Sequence, residues 1–145
     1  MPNQSVKRIL ILEEEAVVTP ELLATIQKRA SEGPTQFRVV VTNPAPAEIH
    51  VLHTERHSKA AEAELTLHAA LPQIEAAAGG KVIGTVSVRH DPMDAVEDVI
   101  FNEPIDEIIL SVTTHTIARW LHQDLQARLK HHNIPVTTIR PEAHV

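Results

Sequence analysis

Lys81-Val82-Ile83-Gly84-Thr85-Val86-Ser87-Val88 is followed, after Arg89-His90, by Asp91-Pro92-Met93. The first stretch is a short run rich in β-branched residues, the composition of a strand. The second is a helix start, with a carboxylate at the N-cap and proline at the first helical position, where its missing N–H costs nothing. Met93, Val96 and Ile100 continue at helical spacing until Pro104 forbids another turn. Strand then helix is the unit, and it recurs in both directions.

Towards the N-terminus, Gly79-Gly80 closes a helix expected from about Lys59 to Ala78, with Leu67, Ala70, Leu71, Ile74 and Ala78 on one face. Pro72 lies beside that stripe and predicts a kink near His68. Pro44 to about Ser58 has no period and reads as a long loop. Gln36 to Thr42 (QFRVVVT) reads as a strand. Thr19-Pro20-Glu21 starts a helix carried by Leu22, Leu23, Ile26 and Ala30 and ended by Gly33-Pro34. Lys7 to Leu12 (KRILIL) has the unbroken apolar character of a strand buried on both faces.

Towards the C-terminus, Glu107 to Ser111 (EIILS) is a fourth strand. Ile117, Leu121, Leu125 and Leu129 then form an i, i+4 stripe, with Lys130, His131 and His132 in the last turn, where positive charge suits the helix dipole. Pro135 to Ile139 is a fifth strand. This alternation predicts an α/β protein: a five-stranded parallel sheet in a three-layer α/β/α sandwich with right-handed crossovers. Ligands on such sheets sit outside the carboxyl ends of the strands, here after Leu12, Val41, Val88 and Ser111.

With 145 residues the chain suits one domain, whose core is expected over about 6–140. The absence of cysteine excludes disulfides, thiolate metal sites and cysteine nucleophiles. Thirteen Lys and Arg against nineteen Asp and Glu, a formal charge of −6, argues against nucleic acid or an anionic membrane as partner. Phe37, Phe101 and Trp120 are the only aromatics, too few for stacking on bases. No apolar run reaches the roughly 18 residues of a membrane helix and no signal-peptide core opens the chain, so a cytoplasmic protein is expected.

The chain resembles the universal stress protein family, an adenine-nucleotide α-hydrolase-like fold, over nearly its whole length. Val88-Arg89-His90-Asp91-Pro92-Met93-Asp94-Ala95-Val96 is similar to the family's V-x-G-D-P-x-x-A-I, with His90 in place of glycine. Glu107 to Ser111 is similar to its D-L-I-V-M-G, and Ile134 to Ile139 to its closing C-P-V-L-V-V. The resemblance implies strand order 3-2-1-4-5 and a homodimer joined through the fifth strands, here Val136, Thr137, Thr138 and Ile139. Unpaired backbone groups on that uncharged edge favour pairing with a second copy.

Many members of that family bind ATP with G-x2-G-x9-G-S/T after strand four. On this chain the glycine positions become Ser111, Thr114 and Asp124, and the hydroxyl position becomes Leu125. Threonine resists the positive φ that glycine allows, and Asp124 brings negative charge towards an anionic ligand. The family's aspartate near the nucleotide, after strand one, is replaced by Glu13 of a Glu13-Glu14-Glu15 run that reads as solvated charge around a turn. No cofactor is therefore expected; ATP or AMP held through an altered loop is the alternative.

The candidate ligand-binding residues are Glu13, Val41, Ser111, Thr113, Thr114, His115 and Arg119. Three hydroxyls, an imidazole and a guanidinium gather at the start of the last helix, beside orphan backbone N–H groups that suit an anion or small polar ligand. The plainer account has one threonine capping the helix, Trp120 packing and Arg119 in water. His50, His53 and His57 are spaced i, i+3, i+7, but spacing alone is weak evidence, and no metal is expected. Asp91 is explained by capping. No nucleophile or phosphate-loop motif is present, and no catalytic residue is named. The expected function is a dimeric, non-catalytic regulatory or stress-response module with a degenerate nucleotide site; a small hydrolase or nucleotidyl-transfer enzyme is the weaker alternative.

Overall fold

Which backbone groups pair, and which side chains then meet, sets the architecture. The computed structural model describes residues 5–14, 18–42, 53–88, 91–111 and 133–139, with side chains in the long second helix described from residue 61. The elements are β1 (Lys7–Glu13), α1 (Pro20–Glu32), β2 (Thr35–Val41), α2 (His53–Ala78), β3 (Ile83–Val86), α3 (Pro92–Asn102), β4 (Glu107–Ser111) and β5 (Val136–Ile139). The sheet is parallel throughout, in the order β3-β2-β1-β4-β5. The helix expected around Ile117 to Leu129 lies outside the described residues.

Alternation along β1 divides the core in two. Ile9 and Ile11 join Phe37, Val39 and Val41 beneath Leu22 and Ile26 of α1 and Leu67 and Ile74 of α2. Leu10 and Leu12 join Val40, Ile108 and Leu110 beneath Met93, Val96 and Val99 of α3. Helices thus cover both faces, and burying each such aliphatic side chain stabilises the fold by about 1.5–3 kcal/mol. A one-residue slip of β1 would exchange the two clusters, so the hydrophobic pattern pins its register.

Both helix starts follow the expected chemistry. Thr19 Oγ1 accepts from the Leu22 N–H at 3.2 Å, and Pro20 is the first residue of α1. Asp91 Oδ1 accepts from the Met93 N–H at 3.1 Å ahead of Pro92. At the end of α2, Gly79 takes φ 77° and its N–H donates to Glu75 O at 2.9 Å, a left-handed cap that favours glycine. Gly84, inside β3, allows α2 to approach: a Cβ there would meet Leu71 Cδ2 at 3.0 Å and Leu67 Cδ2 at 3.2 Å.

Several strand ends shift by one residue from expectation, and two boundaries differ by more. Residues 53–58, read as loop, form the first turns of α2. The segment has no apolar stripe to betray it, but it lacks Gly and Pro and carries Glu55 and Arg56, which favour helix intrinsically. The third strand is confined to Ile83–Val86, not Lys81 to Val88, because the ladder with β2 spans only these residues. The α2 helix continues through Pro72.

Candidate functional site

The carboxyl edge of the sheet is built by register. Glu13 pairs with Val41 on one side and Ser111 on the other, and Val86 and Ile139 extend the same row outwards. Three of the candidate residues therefore stand side by side on the three central strands. Alternation places Glu13 on the same face as Ile9 and Ile11, the face covered by α1 and α2.

Main-chain pairing runs past the strand ends. The Thr42 N–H donates to Glu13 O at 3.0 Å, the Glu14 N–H to Ser111 O at 3.4 Å, and the Ser87 N–H to Val41 O at 2.7 Å. Thr42 Oγ1 donates to Glu14 O at 3.3 Å. The edge amides of Thr42, Glu14 and Ser87 are thus committed to neighbouring carbonyls.

Glu13 contradicts its reading as solvated turn charge. It is the last residue of β1 and 0% exposed, and among the described residues neither carboxyl oxygen has a hydrogen-bond partner. Burial pushes its pKa up to about 8. An isolated buried carboxylate is too costly to keep ionised, so the group is mainly a neutral acid at pH 7. The physical reason for the difference is strand length. The apolar run ends at Leu12, but pairing on both sides carries β1 one residue further and takes Glu13 inside with it.

Thr113, Thr114, His115 and Arg119 lie outside the described residues, as do Glu15 and His50. His53 and His57 fall on α2. Among the described residues no group of three or more His, Asp or Glu is placed to hold a metal ion, and no helix is long and apolar enough to cross a membrane.

At the opposite, amino edge, sequence reasoning missed an ionic knot. Glu107, 3% exposed, accepts from Arg29 Nε at 2.9 and 3.0 Å, from Lys7 Nζ at 2.9 Å and from Thr137 Oγ1 at 3.3 Å. Burial alone would raise its carboxyl, but the hydrogen bonds from Arg29 and Lys7 outweigh that and hold it below the ordinary value. The knot joins β1, α1, β4 and β5. A glutamate opening an otherwise apolar strand (EIILS) is the available signal for it, and its partners are distant in sequence.

These observations define a doubly wound parallel α/β protein whose central row ends in a buried acid. No family model matches the chain, and no curated protein matches it. Among solved structures, a universal stress protein from Archaeoglobus fulgidus is similar, with a TM-score of 0.59 and 17% identity over 93% of this chain and 95% of that one. The fold is of the universal stress protein type, as the resemblance implied, including strand order 3-2-1-4-5.

Proposed function

We propose that the chain is a non-catalytic, universal-stress-protein-like regulatory module, homodimeric through Val136 to Ile139, with a degenerate nucleotide site at the carboxyl edge. Glu13, Val41 and Ser111 form its floor; Thr113, Thr114, His115 and Arg119 are its proposed upper residues. The observation that carries this reading is the commitment of the edge amides of Thr42, Glu14 and Ser87 to in-sheet carbonyls beside an unpartnered buried acid. A phosphate chain needs N–H donors that are not already committed. The four glycines of the chain agree with this: Gly33, Gly79 and Gly80 lie in connections leading into β2 and β3, and Gly84 lies within β3. None follows β4, where close backbone approach to phosphate would require one.

A thermal-shift series with ATP, AMP and cyclic nucleotides tests the reading. A true ligand at 100 times its Kd stabilises by about 2.7 kcal/mol. The expected result is no shift with millimolar ATP. A saturable shift with ATP or AMP transfers the assignment to a nucleotide-binding module whose threonine hydroxyls replace glycine amides.

A further inference from the structure

Among the described residues, an ionised Glu13 has no cation on its own face to pair with. Lys7, at the other end of β1, is roughly 20 Å away at about 3.3 Å per residue. Lys7 is committed to Glu107 there, and so is Arg29 from the last turn of α1. The other titratable groups of α1, Glu21, Lys28 and Glu32, are exposed. On α2, Glu62, Glu64 and His68 are exposed, and Glu75 accepts from the Val82 N–H at 3.0 Å near the end of the helix. Beside Glu13 in its row, β2 offers Val41 and β4 offers Ser111, while β3 and β5 hold no titratable side chain. Arg8, Glu14 and Arg38 belong by alternation to the α3 face, where Arg38 Nη1 donates to Glu103 Oε2 at 2.8 Å. Burial therefore acts on Glu13 unopposed and favours the neutral acid.

The strand end that holds this acid is weakly fastened. Glu13 O accepts from the Thr42 N–H at 3.0 Å, but the Glu14 N–H reaches Ser111 O only at 3.4 Å, and Thr42 Oγ1 reaches Glu14 O at 3.3 Å. The last two lie at the long limit of hydrogen bonding. Leu12, one residue earlier, is 0% exposed and packed beneath α3. Swinging the last residue of β1 outwards breaks these few contacts and leaves the core in place. Keeping an ionised carboxylate inside without a partner costs more.

We propose that the carboxyl end of β1 is a pH-operated latch: neutral Glu13 seats on the α1 and α2 face and holds the strand end shut, and ionised Glu13 leaves for water, hinging after Leu12 and releasing the Glu14 and Thr42 N–H groups from their in-sheet carbonyls. Ligands on such sheets sit at this edge, so the latch sets whether two of its amides are committed or open.

Amide hydrogen exchange of the full chain from pH 6 to pH 9, read by NMR and corrected for the intrinsic pH dependence of exchange, tests the latch. Protection at Glu14 and Thr42 is expected to fall about tenfold or more across this range, with a midpoint near pH 8. Ser87, whose N–H donates to Val41 O without involving Glu13, should keep its protection. In Glu13→Gln, which has no proton to lose, Glu14 and Thr42 should stay protected throughout. The side-chain carboxyl ¹³C resonance of Glu13 in the wild type should titrate with the same midpoint, which keeps the test decisive even where the variant does not fold. The latch is overturned by constant protection at Glu14 and Thr42, by an equal fall at Ser87, by the same fall in Glu13→Gln, or by a Glu13 carboxyl that titrates near the ordinary 4.5. None of these readouts involves a nucleotide or a second copy, so the latch and the proposed function stand or fall separately.

Discussion

Glu13 couples its own protonation to folding. Its folded-state pKa, about 8, lies above the ordinary carboxylate value of 4.5. Between those two values the folded chain therefore binds more protons at this position than the unfolded chain does, and stability falls as pH rises. The contribution is full below about pH 4.5 and gone above about pH 8, a change of roughly 4–5 kcal/mol by linkage. Glu13→Gln keeps the shape and removes the titration. Urea unfolding of both proteins at pH 6 and pH 9 should show the wild type losing about 3 kcal/mol more than the variant, since only the part of the window above pH 6 is sampled. Parallel loss in the two proteins would mean that Glu13 is not the titrating group. Glu107 is the opposite case at the same scale. Its neighbours Arg29 and Lys7 hold the carboxyl ionised, so its contribution is present above the unfolded pKa and is lost as pH falls through the lowered one.

Among the elements, α2 carries a built-in defect. Pro72 is exposed and interior to a helix of 26 residues. It has no N–H to offer the His68 carbonyl, and its ring crowds that turn. Leu67, Ala70 and Ile74 are buried around it, so tertiary packing outweighs a local penalty that would break an isolated helix. Pro72→Ala restores the missing bond without disturbing the buried face. A gain of about 1–3 kcal/mol is expected, read as a rise in melting temperature. A fall would show that the ring has a packing role. The same balance explains why the start of α2 escaped a reading based on apolar spacing: helix formation over residues 53–58 needed no stripe.

For the whole molecule, the open question is what covers the sheet edges. Among the described residues the β5 strand pairs only with β4, and Val136 is 37% exposed. Edge groups left in this way favour association, and a two-fold axis would satisfy both copies at once. Thr137 is already tied to Glu107, so a β5 interface would rest on a strand held rigid by the ionic knot. Sedimentation velocity is expected to show a dimer at micromolar concentration. Val136→Lys, which places charge on the edge, should raise the dissociation constant by about tenfold or more. A wild type that stays monomeric at high micromolar concentration overturns the homodimer.

Alternating strand and helix signals were enough to specify five strands, parallel pairing and coverage of both faces, because local caps such as Thr19 and Asp91 and runs such as KRILIL act through neighbours in the chain. The resemblance added the strand order. The site was legible only in part. Glu13, Val41 and Ser111 could be named from their places at strand ends, but their common row is a matter of register. The burial of Glu13, the commitment of the edge amides, and the Glu107 and Arg38 contacts were decided by tertiary structure alone. Each depends on groups brought together from distant segments, and on how much water those segments exclude, which no local pattern encodes.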